Sequence, residues 1–388
     1  MNLIKRSLVR KAVLLLAPIA AFFMASPFGH SLAQKQKDES QTVMTWEHSD
    51  DGLKRRLEIR GKVEFNEEYT DVTDVSEGGV VRIEEVINGQ SRRYEVRRDV
   101  GGQLTRVFYI NGQVQNMDAA ARTWLAQMVL NAVRHGGIDA DKRVQRILSR
   151  RGVAGVLQEI EQINSDYAQR RYYQALFQHG NLNAAALQNV LAHAGRHISS
   201  DYEQAQLLIG VAPVLEGKDS AMPAFFTAVE TIDSNYERSR VLKTLLKRVA
   251  PSKELLIKVA NSTMTISSDY EKAGVLKSIA GVYVDDPALS GVFFTTVGTI
   301  DSDYEHRQVL SALLKMKNLS EGALTRLINS AAAMESDYEK AQLLLEASRS
   351  YTGDARLRST FLKAVETIKS DYERGRVLSA LLKNKQIS

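Results

Sequence analysis

Ile300-Asp301-Ser302-Asp303-Tyr304-Glu305 repeats Ile266-Ser267-Ser268-Asp269-Tyr270-Glu271 thirty-four positions later, and further copies lie on either side. The central tyrosines are Tyr167, Tyr202, Tyr236, Tyr270, Tyr304, Tyr338 and Tyr372. The first interval is thirty-five positions and every other is thirty-four. Self-similarity at a fixed period of this length marks a repeat architecture in which each copy is one supersecondary unit. The shared pattern is Ile-x-Ser-Asp-Tyr-Glu-x-x-x-[Val/Leu]-Leu, with departures at Ala168, Asn235 and Met334 and from Arg170 to Tyr173. A doubled period is superimposed. Phe225-Phe226, Phe293-Phe294 and Phe361-Leu362 recur in every second copy, while Gln204-Ala205, Lys272-Ala273 and Lys340-Ala341 mark the intervening ones. The array therefore reads as the product of duplicating a pair.

Each copy divides into two helices. Phe225, Phe226, Val229 and Ile232 fall at i, i+1, i+4 and i+7 and make one apolar stripe, and Val241, Leu242, Leu245 and Leu246 make a second after the motif. Neither helix buries its stripe alone, so neighbouring copies are expected to stack into a continuous core. The period equals that of the tetratricopeptide repeat, but that family's small and Gly/Pro signature positions are not matched. The chain instead resembles the broader HEAT-like α-solenoid class, which implies about seven two-helix repeats.

The motif itself carries helix-start chemistry. Serine at the N-cap with glutamate three residues on is a capping box: the hydroxyl accepts from the N3 amide, and the carboxylate is expected to return to the N-cap amide. Six copies have it, from Ser200/Glu203 to Ser370/Glu373. The aspartate at N1 favours the positive end of the helix dipole. Tyrosine has no part in capping. At about 100° per residue, Tyr236 lies roughly 150° from its helix's apolar stripe and above Arg240, Lys243 and Lys247. Tyr202, Tyr236, Tyr270, Tyr304, Tyr338 and Tyr372 thus form a row along the array. The expected arrangement packs each ring into the seam between copies with its hydroxyl bonded there. The alternative is an open, tyrosine-lined groove for an extended peptide or a glycan.

Upstream of the repeats the period shortens to two. Leu57, Ile59, Val63 and Phe65 alternate with charged residues about Gly61, and Val81, Ile83, Tyr94 and Val96 continue the pattern. Asn88-Gly89, Gly101-Gly102 and Asn111-Gly112 separate these runs as hairpin turns, giving a small antiparallel β-meander over residues 43–115. A connecting helix pair is expected over 118–150, with Asp118 as N-cap, Gly136-Gly137 as the stop and a second helix after Asp139. The repeat domain then occupies 151–388, and the whole is α+β, mostly α.

Lys5, Arg6, Arg10 and Lys11, an apolar run from Ala12 to Ala25, and Ser31-Leu32-Ala33 have the order of a cleaved secretory signal over residues 1–33, with a polar spacer over 34–42. An uncleaved N-terminal anchor facing the periplasm is the alternative. Residues 1–33 hold four basic and no acidic side chains, so cleavage takes the formal charge from +5 to +1. A nearly neutral exported chain gives no basic stripe for nucleic acid. The absence of cysteine removes disulfides and thiol catalysis together.

No catalytic signature is present. His193 and His197 are four apart, but Ala194 stands where the zinc-protease motif has its glutamate, and no metal or cofactor is expected. Phosphate-loop, dinucleotide and nucleophile-elbow motifs are missing. The stretch from Trp46 through the first repeats, including Val63-Glu64-Phe65, Asp74 to Gly79 and Ile83-Glu84-Glu85, resembles uncharacterised bacterial envelope proteins. Related segments follow membrane-bound metallopeptidase sensors of the antirepressor type, whose peptidase motif this chain does not have. The sequence thus points to a non-enzymatic, periplasmic or extracellular scaffold binding a protein or peptide, with cell-wall glycan as the alternative ligand. Self-association through the last repeat is also expected, because Ser388 follows it without a polar capping copy.

Overall fold

Eight strands and fifteen α-helices follow one another among the described residues of this computed structural model, which are 43–50, 52–316, 319–350 and 355–383. The expected signal segment 1–33 and spacer 34–42 lie outside them. The chain divides into two compact units at Ala175 and Leu176. No helix among the described residues is long and apolar enough to cross a membrane.

In the first unit, β1 (Val43–Asp50), β2 (Leu53–Arg60), β5 (Val80–Ile87), β6 (Gln90–Arg98), β7 (Leu104–Ile110) and β8 (Gln113–Gln115) form one antiparallel sheet in that order. Its register places Trp46, Leu57, Ile83, Tyr94 and Phe108 in a single row across five strands, all buried. Alternation requires this: with a side-chain period of two, one register puts every apolar residue on the same face. That face packs on α1 (Ala119–Gly136) through Trp124, Leu125, Met128 and Val129. Asn88-Gly89 and Asn111-Gly112 close hairpins with positive φ at both residues, as the type I′ turn needs.

The reading of Leu57 to Phe65 as one strand is corrected. Gly61, at φ +86°, turns the chain out of the sheet, so β3 (Val63–Phe65) pairs with β4 (Val72–Val75) as a separate hairpin before β5 returns. A side chain at Gly61 would also collide with Ser76 Oγ. Asp118 caps α1 by accepting from the Ala121 amide, and Gly137 ends it at φ +64°. Asp139 instead precedes α2 (Ala140–Ile160) without capping it, because its carboxylate accepts from the Tyr69 hydroxyl at 2.8 Å. Helix α2 breaks at Gly152, and α3 (Asp166–His179) contains the division between the units.

Among the described residues the second unit holds helices and no strand. The motif starts α5 (Asp201–Val211), α7 (Asn235–Arg248), α9 (Asp269–Ala280), α11 (Asp303–Leu314), α13 (Asp337–Ala347) and α15 (Asp371–Lys383). Each of these packs on the next in the series. Between them lie α4 (Ala184–His197), α6 (Met222–Glu230), α8 (Lys253–Met264), α10 (Pro287–Val297), α12 (Glu321–Ala332) and α14 (Ala355–Glu366), which also pack in chain order. Phe225, Phe293 and Phe361, each one doubled period apart, are fully buried, as are Val241, Leu242 and Leu245. Each such side chain stabilises by about 1.5–3 kcal/mol on burial. On α15 the corresponding surface is open, with Leu378 exposed where Leu310 and Leu344 are buried.

Candidate functional site

Four of the five recurring positions around each tyrosine are used within the fold. The serine hydroxyl accepts from the N3 amide in all six full copies, at 3.3 to 3.4 Å. This half of the expected capping box is present. The other half is corrected: the N-cap amides of Ser234, Ser302, Ser336 and Ser370 donate to Asp201, Asp269, Asp303 and Asp337 of the preceding copy, at 2.5 to 2.8 Å.

Asp201 and Asp303 each take a second amide as well, from Asp233 and Glu335. Asn235, the one departure at this position, accepts at 3.0 Å from the amide of Ser267, just before the next N-cap, and donates to its hydroxyl. A carboxylate at N1 is close to the next copy's helix start, where orphan amides need acceptors. The amides of Ser370 and Lys369 hold the Asp337 carboxyl below its ordinary range against a desolvation cost that pushes it up.

Displaced from the cap, five of the six glutamates pair with cations. Glu237 meets Arg240 of its own helix at 2.8 Å, and Glu373 meets Arg376 at 2.6 Å. Glu271, Glu305 and Glu339 reach back instead, to Lys243, Lys277 and Arg307 of the preceding copy.

Two residues after each tyrosine stands a polar donor directed at the end of a neighbouring helix. Gln204 donates to the Ala228 carbonyl at 2.8 Å, while Arg238, Lys272 and Lys340 donate to the carbonyls of Thr265, Thr299 and Thr367. Such bonds satisfy carbonyls that a helix C-terminus leaves unpaired. At the same position buried His306 contacts Ser330 Oγ at 2.8 Å.

Burial lowers the His306 pKa, with Asp303 pulling the other way. The unfolded ring titrates near pH 6.5, so its stabilising contribution is present above that pH and lost as pH falls below it. The midpoint of thermal unfolding is expected to fall more steeply from pH 7 to 5 in the parent than in His306→Gln, and equal slopes would refute this.

Only tyrosine is left over. Tyr202, Tyr236, Tyr270, Tyr304, Tyr338 and Tyr372 are between 53% and 74% exposed, which corrects the expected burial in the seams. Arg240 lies over the ring of Tyr202 at 5.6 Å, and Arg307 and Arg376 lie over Tyr304 and Tyr372 at 5.6 and 5.8 Å. These contacts hold the rings outward. Tyr167, in the first copy, is only half-exposed.

The first unit holds a separate pocket of about 200 Å³, lined by Trp46, His48, Arg55, Asn131 and His135 among others. His135 Nδ1 accepts from the Asn164 amide, and Arg55 is held by Glu85, which also accepts from Trp124 Nε1. Burial first, then Arg134, His48 and Arg55, lower the His135 pKa. No spacing in the sequence joins strand residues 46–55 to helix residues 131–135, so only tertiary structure makes this pocket visible. His193 and His197 stack on α4 with ring centroids 4.1 Å apart.

No family model and no curated protein matches the chain. A solved structure titled "Computational Design of Self-Assembling Cyclic Protein Homooligomers" aligns at 13% identity over 66% of this chain and 92% of that one, with a TM-score of 0.14. A similarity that low carries no argument about fold or function.

Proposed function

We propose that this chain is a non-enzymatic, exported scaffold whose stacked helix pairs form an α-solenoid and bind a protein or peptide segment along the tyrosine row. The observation that carries the reading is that the recurrent Ser, Asp and Glu are engaged inside the fold while the recurrent Tyr faces solvent. A side chain kept at a fixed spacing without a packing role supports contact with a second molecule. Tyrosine suits this, presenting a large rigid face with a polar tip at low entropic cost. The copies are roughly 8–10 Å apart, the ordinary separation of packed helices, which favours an extended ligand touching several in succession. Export rests on the N-terminal sequence.

A test combines Tyr236→Ala, Tyr270→Ala and Tyr304→Ala in one variant and the three Phe substitutions in another, with both panned against a random-peptide library and a cell-wall glycan array. Because the rings are exposed, the melting temperature is expected to stay within about 2 °C of the parent. Peptide selection is expected to be lost in the Ala variant, by at least tenfold in affinity, and kept in the Phe variant. Glycan binding that needs the hydroxyls would favour the carbohydrate reading. Unfolding of the Ala variant together with unchanged binding by the Phe variant would make the row structural.

A further inference from the structure

A second row of side chains runs parallel to the tyrosines. Eleven residues after Tyr236, Tyr304, Tyr338 and Tyr372 stand Lys247, Lys315, Arg349 and Lys383, all exposed and none in an ion pair among the described residues. Helix α9, with Gly281 at this place, interrupts the row. Eleven residues of helix carry the chain roughly 16 Å along its axis and return it to the same face. The cations therefore stand at one end of the face and the tyrosines at the other.

Between α11, α13 and α15 this face is hollowed into a groove of about 870 Å³. Gln308, Ser311, Gln342 and Leu345 contribute to its floor, and Lys315, Arg349 and Lys383 are among its walls. Arg307 and Arg376 also line it, already paired with Glu339 and Glu373. The single carboxylate of the lining, Glu346, lies 3.8 Å from Arg307. Three of the lining cations, Lys315, Arg349 and Lys383, thus have no ion-pair partner among the described residues.

We infer that this groove binds an acidic, extended polypeptide segment with a carboxylate at about every third residue. The inference rests on the reading of the same helix face as a binding surface and specifies the ligand's charge. Charge complementarity supplies the sign. Spacing supplies the form: packed helices repeat at roughly 8–10 Å, and a polyproline II chain advances about 9.3 Å in its three-residue turn. One carboxylate per turn meets one cation per copy. A cation in the last turn also complements its own helix dipole, which accounts for a charge at each helix end but not for a concave surface between three of them.

The experiment uses fluorescein-labelled (Glu-Pro-Ser)4, (Ser-Pro-Ser)4 and (Lys-Pro-Ser)4 with the full chain, read by fluorescence anisotropy at 50 and 300 mM salt. The expected result is saturable binding of the acidic peptide alone, weakened at least tenfold by the higher salt and by Lys315→Ala, Arg349→Ala and Lys383→Ala combined. The variant's melting temperature is measured beside it. Failure of the acidic peptide while library-selected neutral peptides still require the tyrosines would overturn the acidic preference and leave the tyrosine row standing. Failure of every peptide would overturn both. Tighter cation-dependent binding of heparin or polyphosphate than of the acidic peptide would overturn the choice of a polypeptide. Acidic-peptide binding unchanged in the triple variant would show that these cations serve only their helices.

Discussion

Asp303→Ala is expected to lower the unfolding free energy by about 3 kcal/mol, measured by urea denaturation, without touching any core side chain. Its carboxylate accepts from the Glu335 amide at 2.9 Å and the Ser336 amide at 2.5 Å, both at the start of the next motif helix. Bonds to a charged acceptor contribute about 1.5–3 kcal/mol each, and removing the acceptor also leaves the helix-start amides without partners. Asp303→Asn is expected to keep most of the stability, since Asn235 fills the equivalent place naturally and still accepts from the Ser267 amide. A loss under about 1 kcal/mol in the Ala variant would show that the joint is held by apolar packing alone, and an Asn variant as unstable as Ala would show that the joint needs the charge and that Asn235 is no stand-in for it.

Glu159→Ala is expected to cost still more, about 3–5 kcal/mol of first-unit stability. Glu159 is buried and accepts from Arg134 at 2.7 and 3.1 Å and from Arg143 at 2.7 Å. Removing the anion strands two partly buried guanidinium groups, which is costlier than replacing the whole cluster by apolar side chains. Burial pushes the Glu159 carboxyl up, but Arg134 and Arg143 outweigh it and hold the pKa below the ordinary value. Its contribution is therefore present above the unfolded carboxyl's range near pH 4.3 and lost as pH falls through the folded value. Near-ultraviolet circular dichroism of Trp46 and Trp124 follows this unit; acid transitions that coincide in parent and variant would contradict the assignment.

Much of this was legible in the sequence because repetition multiplies a weak signal. One Ser-x-x-Glu is a common coincidence, but six at one spacing fix the helix starts and the neighbouring apolar stripes. The Asn-Gly pairs likewise announced two hairpins, since few other pairs adopt two positive φ angles in succession. What escaped were the polar interactions between copies. Capping rules pair a serine with its own glutamate because they treat a helix in isolation; here Asp201, Asp269, Asp303 and Asp337 reach the amides first. Once the amide is taken, the glutamate meets cations instead, and the tyrosine stands exposed. Gly61 escaped for a related reason, since alternation continues across a corner that only its positive φ reveals.

The bonds from one copy's aspartate to the next copy's amides run in one direction only. Each copy presents an acceptor forward and receives one from behind, so its two ends are different and complementary, like the ends of a hooked chain. From Tyr202 onward, the donor two residues after the tyrosine alternates between Lys or Gln in one copy and Arg or His in the next. The natural increment of growth is therefore two copies, after which every hook again meets the eye made for it. Excising residues 237–304 would leave every remaining hook facing an eye of the right kind. The number of tyrosines in the exposed row is thus a quantity that can be lengthened or shortened by pairs while the joints themselves stay the same.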